Sequence, residues 1–280
     1  MKPAAFEFFR PQTLDEALRL LAEHQDDARL LAGGQSLVPL MNFRLATPGV
    51  LIDLNRAAGL AGIHVDDAFL RIRTMTRQQE LIDNPLVTTH APLLAAAARF
   101  VGHIQTRSRG TIGGSLAYAD PSAELPVALV ALDARLEIKS TRGTREVAAR
   151  GFFRDALVSD LAPDEILIEI AIPRVRPLAR FSFREFSRRH GDFAIVAAAV
   201  QYDPPQLSIA LAGIEAVPRL CTHLMDTLHM NGLSRESIEL GIDREFADVT
   251  PNTDLQASGE FRCQLARVLL RDCLSEVLPT

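Results

Sequence analysis

Two short glycine-rich turns constrain what this chain can fold into more than any other part of its sequence. The first reads Ala-Gly-Gly-Gln-Ser-Leu at residues 32–37, and the second reads Gly-Thr-Ile-Gly-Gly-Ser at residues 110–115. The apolar run before each turn predicts a strand that leads into it. Glycine lets another backbone or a ligand approach closely, and successive backbone N–H groups in such a turn form a concavity that suits an anion. The pair therefore predicts that both turns bind the same phosphate-bearing ligand from opposite sides.

The same turns also have a plainer interpretation. A single Gly-Gly is most often a tight turn without a ligand, and neither turn matches the dinucleotide fingerprint or the P-loop. Neither turn contains a lysine, so an anion there would be held by backbone N–H groups and by the hydroxyls of Ser36, Thr111 and Ser115. Such donors suit a buried diphosphate, because each hydrogen bond to a charged group contributes roughly 1.5–3 kcal/mol.

The size and charge of the chain exclude several classes of protein. Its 280 residues, 48% of them hydrophobic, are enough for two domains with a sizeable core. The net charge of −5 is spread along the chain, which argues against the basic stripe of a nucleic-acid-binding protein. No apolar run approaches the length of about 18 residues that spans a membrane, and the first residues lack a signal-peptide core. We therefore expect no membrane insertion and a cytoplasmic location.

The residues that carry most enzyme chemistry form no recognisable pattern. The three cysteines, Cys221, Cys263 and Cys273, match no Cys-x-x-Cys spacing and are interpreted as reduced packing residues. We expect no iron–sulfur cluster and no zinc in this chain. Neither a nucleophile–base pair nor a metal-binding motif is present, so no catalytic residue is assigned. A bound cofactor would have to supply the chemistry.

The order of predicted elements indicates an α+β fold. Strands at residues 28–31 and 50–54, with a turn of helix near residues 37–41 between them, form a βαβ unit that favours parallel pairing. Alternating apolar and polar residues then predict two hairpins and a long strand. These are at residues 62–65 with 69–74, at residues 135–139 with 144–147, and at residues 165–172.

A proline-flanked polar segment, residues 173–177, is the predicted boundary between two domains. The first would comprise residues 1–175 and the second residues 176–280. The second domain has three strand candidates followed by helices, which predicts a three-stranded antiparallel sheet backed by helices. The three strands are predicted at residues 180–187, 193–202 and 207–212.

Several sequence blocks, taken together, carry a family resemblance over nearly the whole chain. They extend from both glycine turns and recur near the predicted boundary and in the C-terminal part, at residues 32–45, 109–126, 164–167, 183–194 and 254–270. In these blocks the chain resembles the medium, FAD-binding subunit of the molybdenum hydroxylases, which include carbon monoxide and xanthine dehydrogenases. The resemblance implies a two-part FAD-binding domain of the PCMH type, followed by the small C-terminal domain of the family.

The resemblance also implies which residues contact FAD. Both glycine turns would bind its diphosphate, and Glu124 and Leu167 would contact the cofactor. Val101 and Gly102 would lie near the isoalloxazine, and Phe193 would cover one face of that ring. The complete set is Ala32, Gly33, Gly34, Gln35, Ser36, Leu37, Val101, Gly102, Thr111, Gly113, Gly114, Ser115, Glu124, Leu167 and Phe193.

For the whole assembly, the resemblance implies an electron-transfer role. Electrons would come from a [2Fe-2S] small subunit, which is fed by a molybdopterin-binding large subunit, in a dimer of heterotrimers. FAD would pass them to an acceptor such as NAD, a quinone or oxygen. Two alternatives stay open at this point: a self-sufficient flavin oxidoreductase of the same superfamily, and a scaffold subunit that has lost FAD. The segment at residues 221–248 departs from the usual family pattern.

Overall fold

The computed structural model describes residues 2–278, so residue 1 of the first predicted domain and residues 279–280 of the second lie outside the described residues. The helices are α1 (Leu14–His24), α2 (Leu37–Asn42), α3 (Gln78–Asp83), α4 (Pro85–His90), α5 (Pro92–Ala98), α6 (Ile104–Arg107), α7 (Ile112–Tyr118), α8 (Glu124–Ala131), α9 (Ala149–Phe152), α10 (Thr222–Asn231), α11 (Arg235–Glu245) and α12 (Gly259–Val277). The strands are β1 (Glu7–Phe9), β2 (Ala28–Leu31), β3 (Val50–Asp53), β4 (Ile63–Val65), β5 (Phe69–Arg73), β6 (Arg135–Ser140), β7 (Gly143–Ala148), β8 (Phe153–Asp155), β9 (Val158–Ser159), β10 (Ile166–Pro173), β11 (Arg180–Phe186), β12 (Val196–Asp203), β13 (Gln206–Ala212) and β14 (Arg219–Leu220). Across residues 2–278, none of these helices combines the length and the apolar character needed to cross a membrane.

A three-stranded parallel sheet, ordered β1-β3-β2, begins the fold. The predicted parallel pairing of β2 with β3 is confirmed, with Ala28 opposite Val50. Strand β1 was not predicted, because its sequence, Glu-Phe-Phe, does not alternate between apolar and polar residues. Helix α1 contacts this sheet and is capped at its start by Thr13, whose hydroxyl accepts a hydrogen bond from the Glu16 N–H at 3.2 Å.

A five-stranded antiparallel sheet, ordered β4-β5-β10-β6-β7, forms the second half of the first domain. Both predicted hairpins are present, and the predicted strand at residues 165–172 is β10, the central strand. Its alternating sequence suggests one exposed face, but both faces are buried. Ile166 and Ile168 pack into the core beneath the parallel sheet, whereas Ile170 and Ile172 pack into the core of the five-stranded sheet. Strand β10 therefore joins the two halves.

The approach to the second glycine turn differs from the prediction. The turn follows the short helix α6, not a strand, and Gly113 and Gly114 already belong to helix α7. The alanine-rich run at residues 92–100 is predicted as a helix and forms α5, which is buried against α8. The segment directly before the turn, residues 101–107, is too short for its period to distinguish a strand from a helix.

The C-terminal part is a four-stranded antiparallel sheet, ordered β11-β12-β13-β14, rather than the predicted three-stranded one. The three predicted strands are present. The additional strand, β14, has only two residues and pairs Leu220 with Ala210, so it leaves no pattern in the sequence.

The two faces of this sheet pack against different parts of the chain. One face, with Ala198 and Val200, forms a core with α10, α11 and α12. The opposite face presents four small side chains, Ala197, Ala199, Ala210 and Ala212, to helices α5 and α8 of the first domain. Alanine at each of these positions lets the two helices approach the sheet closely. The largest hydrophobic core therefore contains residues from both domains.

Candidate functional site

The two glycine turns come into direct contact with each other. A Cβ placed on Gly33 would lie 2.6 Å from Cα of Gly110, so only glycine allows the two backbones to approach this closely. A Cβ on Gly114 would lie 3.5 Å from Cβ of Ala32. The prediction that residues far apart in sequence form one site is therefore consistent with the arrangement of the backbone.

The first turn presents a row of unused hydrogen-bond donors. Among residues 2–278, no acceptor is paired with the backbone N–H groups of residues 33–37. Gly34 has φ +73°, a conformation that side chains with a Cβ rarely adopt, and it turns the chain from β2 into α2. The hydroxyl of Ser36 makes no capping hydrogen bond. Residues 33–37 are half-buried or exposed, so these free donors are accessible to an anionic ligand.

The second turn is built differently, because its N–H groups are used within the protein. Gly113 donates to the carbonyl of Thr74 at 2.8 Å, and Gly114 donates to the hydroxyl of Thr111 at 3.1 Å. Ser115 donates its N–H to the Thr111 carbonyl at 3.2 Å. A Cβ on Gly113 would lie 2.8 Å from the Thr74 carbonyl oxygen, so glycine is needed there for packing. The second turn thus offers hydroxyls on a backbone that is held by internal hydrogen bonds. The first turn offers most of the free N–H groups.

A cavity of about 530 Å³ opens between the two turns. This volume lies in the range of known small-molecule and cofactor sites. Fourteen of the fifteen predicted site residues line it, namely Ala32, Gly33, Gly34, Gln35, Ser36, Leu37, Val101, Thr111, Gly113, Gly114, Ser115, Glu124, Leu167 and Phe193. Gly102 does not line it. Its carbonyl, like that of Val101, accepts a hydrogen bond from the Arg107 guanidinium at 3.0 Å.

The walls of the cavity change character along its length. Val101 and Leu167 are buried and apolar, whereas the side chain of Phe193 is 59% exposed. Phe193 also borders a second cavity of about 390 Å³ that contains Arg188 and Asp254. An aromatic side chain this exposed is not a core residue, and it is free to cover a flat ring at the mouth of the cavity.

Burial favours the neutral form of two acidic residues that line the cavity, Asp120 and Glu124, and of a third residue near Glu124. Burial raises the pKa of Glu124 to about 7, with a smaller contribution from the charge of Asp120. Burial also raises the pKa of Asp120. On strand β11, burial raises the pKa of Glu185 to about 8, and repulsion from Glu124 adds to the shift. These carboxyl groups therefore repel a bound anion less than three ionised carboxylates would.

Sequence reasoning missed several residues that shape the site. Asn55 donates to the carbonyl of Ala32, and Arg77 donates both to Asn55 and to the carbonyl of Arg109. Gln78 lines the cavity, and its buried Oε1 has no partner among the described residues. Single polar residues outside a motif give no signal in one sequence, so only their positions in the fold identify them.

The geometry restricts the chemistry that these residues can perform. No cluster of three or more His, Cys, Asp or Glu side chains within residues 2–278 is arranged to hold a metal ion. The cavity instead combines free N–H groups, hydroxyls, an unpartnered amide oxygen and apolar walls. This combination of polar groups and apolar walls fits a phosphate-bearing cofactor with a flat ring, such as FAD.

Comparison with known proteins agrees with this fit. Residues 4–175 match the family described as the FAD binding domain in molybdopterin dehydrogenase, and residues 181–277 match the CO dehydrogenase flavoprotein C-terminal domain. The chain is 37% identical to the alpha subunit of the 6-hydroxypseudooxynicotine dehydrogenase complex of Paenarthrobacter nicotinovorans, covering 99% of this chain and 96% of that subunit. It is 31% identical to the medium chain of carbon monoxide dehydrogenase from Hydrogenophaga pseudoflava, covering 98% of both.

Solved structures show the same relationship. The fold superposes on carbon monoxide dehydrogenase from Hydrogenophaga pseudoflava with a TM-score of 0.96 and 31% identity, covering 99% of this chain and 98% of that one. It superposes on quinoline 2-oxidoreductase from Pseudomonas putida 86 with a TM-score of 0.93 and 32% identity, covering 99% and 98%. The chain therefore belongs to the family of FAD-binding medium subunits of the molybdenum hydroxylases.

Proposed function

We propose that this chain holds one FAD in the cavity between its glycine turns and relays electrons from an iron–sulfur subunit to an external acceptor. The observation that carries the proposal is the row of unpaired N–H groups at residues 33–37, which faces a cavity large enough for a cofactor. Bound FAD supplies the redox chemistry, since it can accept and release electrons. The protein supplies binding, orientation and electrostatics.

Each group of residues has a distinct role in this proposal. The N–H groups of residues 33–37, with the hydroxyls of Ser36 and Ser115, bind the diphosphate. Val101 and Leu167 exclude water from the ring, and Phe193 covers one of its faces at the mouth. The remaining predicted residues line the rest of the cavity, except Gly102. Gly102 contributes through the loop that it shares with Val101.

The assembly around the chain is inferred from its relatives. One relative is a subunit of the 6-hydroxypseudooxynicotine dehydrogenase complex and another is the medium chain of carbon monoxide dehydrogenase, so the organic substrate would react on another subunit. We propose a molybdopterin-binding large subunit and a [2Fe-2S] small subunit, as a dimer of heterotrimers, with NAD, a quinone or oxygen as the acceptor. The three free cysteines suit a reducing, cytoplasmic location. A division at residues 1–175 and 176–280 is proposed for the two domains.

A visible absorption spectrum of the purified chain tests the central point. Bound flavin absorbs near ~450 nm as a property of the cofactor. We expect one FAD per chain after reconstitution with excess FAD and removal of the unbound cofactor, and a chain that is colourless after this removal would contradict the proposal.

Replacing Gly34 sharpens this test. Gly34→Val is expected to abolish FAD binding, because Gly34 has φ +73° and a Cβ there would lie 3.1 Å from the Val38 side chain, so the turn must move. Gly59→Val is the matched control. Gly59 has φ +81° with nothing within 4 Å of its Cβ position. The Gly59→Val substitution therefore introduces a similar backbone strain, about 1–2 kcal/mol, at a position away from the cavity. Full FAD occupancy in Gly34→Val would exclude the first turn as the diphosphate site.

A further inference from the structure

We propose that Asn55 and Arg77 form a hydrogen-bonded clamp that sets the spacing of the two glycine turns and so controls the affinity for the FAD diphosphate. The proposal rests on the proposed function and extends it to two positioning residues that lie outside both turns. Neither side chain is part of the cavity lining. They act through the backbone of the turns.

Three hydrogen bonds in series connect one turn to the other. Asn55 Nδ2 donates to the carbonyl oxygen of Ala32 at 2.9 Å, and Arg77 Nη2 donates to Asn55 Oδ1 at 2.7 Å. Arg77 Nη1 then donates to the carbonyl oxygen of Arg109 at 2.5 Å. Ala32 immediately precedes the first pair of glycines, and Arg109 immediately precedes Gly110 of the second turn. The series therefore connects the carbonyl groups at the entrance to each turn.

Both ends of the clamp are anchored. The buried carboxylate of Asp53 accepts hydrogen bonds from the backbone N–H and from the side-chain amide of Asn55. The backbone N–H of Arg77 donates to the Glu80 carboxylate at 3.1 Å, and Arg77 forms an isolated β-bridge with Thr111. The Asn55 amide nitrogen donates to two acceptors, and the amide oxygen accepts from Arg77. The two side chains are therefore fixed in place before any ligand binds.

The clamp also crosses the division between the two halves of the FAD-binding domain. Asn55 follows β3 of the parallel sheet, whereas Arg77 lies between β5 of the antiparallel sheet and α3. The first turn has the free N–H groups, and the second has a backbone held by internal hydrogen bonds. A diphosphate bound between the two turns needs a fixed distance between them. Preorganised donors bind it more tightly, because less ordering of the protein is required on binding.

The experiment measures the dissociation constant of FAD by flavin fluorescence on the full-length apoprotein. Asn55→Ala and Arg77→Ala are each expected to weaken FAD binding by about tenfold or more. The double variant should be no weaker than the poorer single variant, because bonds in series are lost together. Arg174→Ala is the matched control, since Arg174 donates to the carbonyl of Asp66 at 3.1 Å on the surface, and its FAD affinity should stay within about twofold of wild type.

A charge-conserving variant distinguishes an effect on the spacing of the two turns from a direct electrostatic attraction between Arg77 and the diphosphate. Arg77 forms no ion pair among the described residues, so its charge alone could favour an anion. Arg77→Lys keeps the charge but not the planar fork that reaches both acceptors, and it should bind FAD almost as weakly as Arg77→Ala. At saturating FAD, every variant should show the wild-type flavin spectrum, because the ring pocket is intact.

Three results would overturn the clamp. Full affinity in Arg77→Lys would assign the effect to charge, and strictly additive losses in the double variant would show that the two residues act separately. Failure of the wild-type chain to bind FAD would instead overturn the proposed function itself. Wild-type binding with unchanged variants would overturn the clamp alone.

Discussion

Phe193 and Phe183 have opposite environments, although both lie in the C-terminal part. Phe193 is 59% exposed at the mouth of the cavity, whereas Phe183 is 7% exposed and its ring centroid lies 5.3 Å from that of Phe100. Phe193→Ala is expected to leave thermal stability nearly unchanged but to change the flavin spectrum and the reoxidation rate. Phe183→Ala should lower the free energy of unfolding by about 3–5 kcal/mol, because it opens a cavity in a packed core.

Thermal denaturation and stopped-flow reoxidation of the two loaded variants separate these roles. A large loss of stability in Phe193→Ala would place that side chain in the core. An unchanged flavin spectrum together with unchanged reoxidation would exclude its contact with the ring.

At the residue scale, glycines were predictable and single polar residues were not. A glycine pair followed by a hydroxyl residue leaves a local pattern, so Gly33, Gly34 and Gly113 were identified before the fold was known. Asn55 and Arg77 act only because the fold brings them between two turns, and no local pattern records that. The difference between the turns, with free N–H groups in one and paired N–H groups in the other, likewise depends on contacts with distant residues such as Thr74.

At the element scale, strand β11 separates two glutamates with opposite pKa shifts. Glu185 lies opposite Ala197 on the face toward the first domain, where burial raises its pKa to about 8. Glu276 of α12 is bonded to Arg184 and Ser182 on the other face, and these hydrogen bonds lower its pKa. The two carboxyl groups should therefore affect stability in opposite directions as pH changes.

The pH dependence of Glu185 follows from its raised pKa. In the unfolded chain its carboxyl titrates near 4.5, so between about pH 4.5 and pH 8 the folded state keeps a proton that the unfolded state has lost. The free energy of unfolding therefore falls as pH rises through this window. Glu185→Gln cannot titrate, so its melting temperature should exceed that of wild type by a margin that grows from about pH 5 to pH 8.

Glu276→Gln provides the control with the opposite sign. A lowered pKa contributes stability above the unfolded value of 4.5, and that stability is lost as pH falls through the folded value. This variant should melt below wild type by a similar margin at about pH 6 and pH 8. A margin for Glu185→Gln that does not change with pH would show that Glu185 is ionised in the folded protein.

Elements whose apolar and polar residues alternate were predictable from sequence, and short elements without alternation were not. Both hairpins and strand β10 alternate, and even β4, with three residues, reads Ile-His-Val. Strand β1 reads Glu-Phe-Phe and β14 has two residues, so neither shows a period. The strand expected to lead into the second turn is replaced by the short helix α6, because so few residues show no clear period.

At the scale of the whole molecule, the cavity accounts for electron relay but not for substrate chemistry. We expect the isolated, FAD-loaded chain to show no turnover of an organic substrate, whereas copurification should recover a small subunit rich in Cys-x-x-Cys spacing and a large molybdopterin subunit. The measurement is a turnover assay of the chain alone and of the complex. Turnover by the chain alone at an ordinary rate of roughly 1 s⁻¹ or more would instead support a self-sufficient flavin oxidoreductase.

The alanine face of the C-terminal sheet has a consequence for how the molecule divides. Family resemblance separates the chain between residues 175 and 181, but Ala197, Ala199 and Ala210 belong to the same core as α5 and α8. The C-terminal sheet therefore covers the core of the FAD-binding domain as well as its own. Because elements that share a core lose their packing together, we expect the two portions to melt in one cooperative transition.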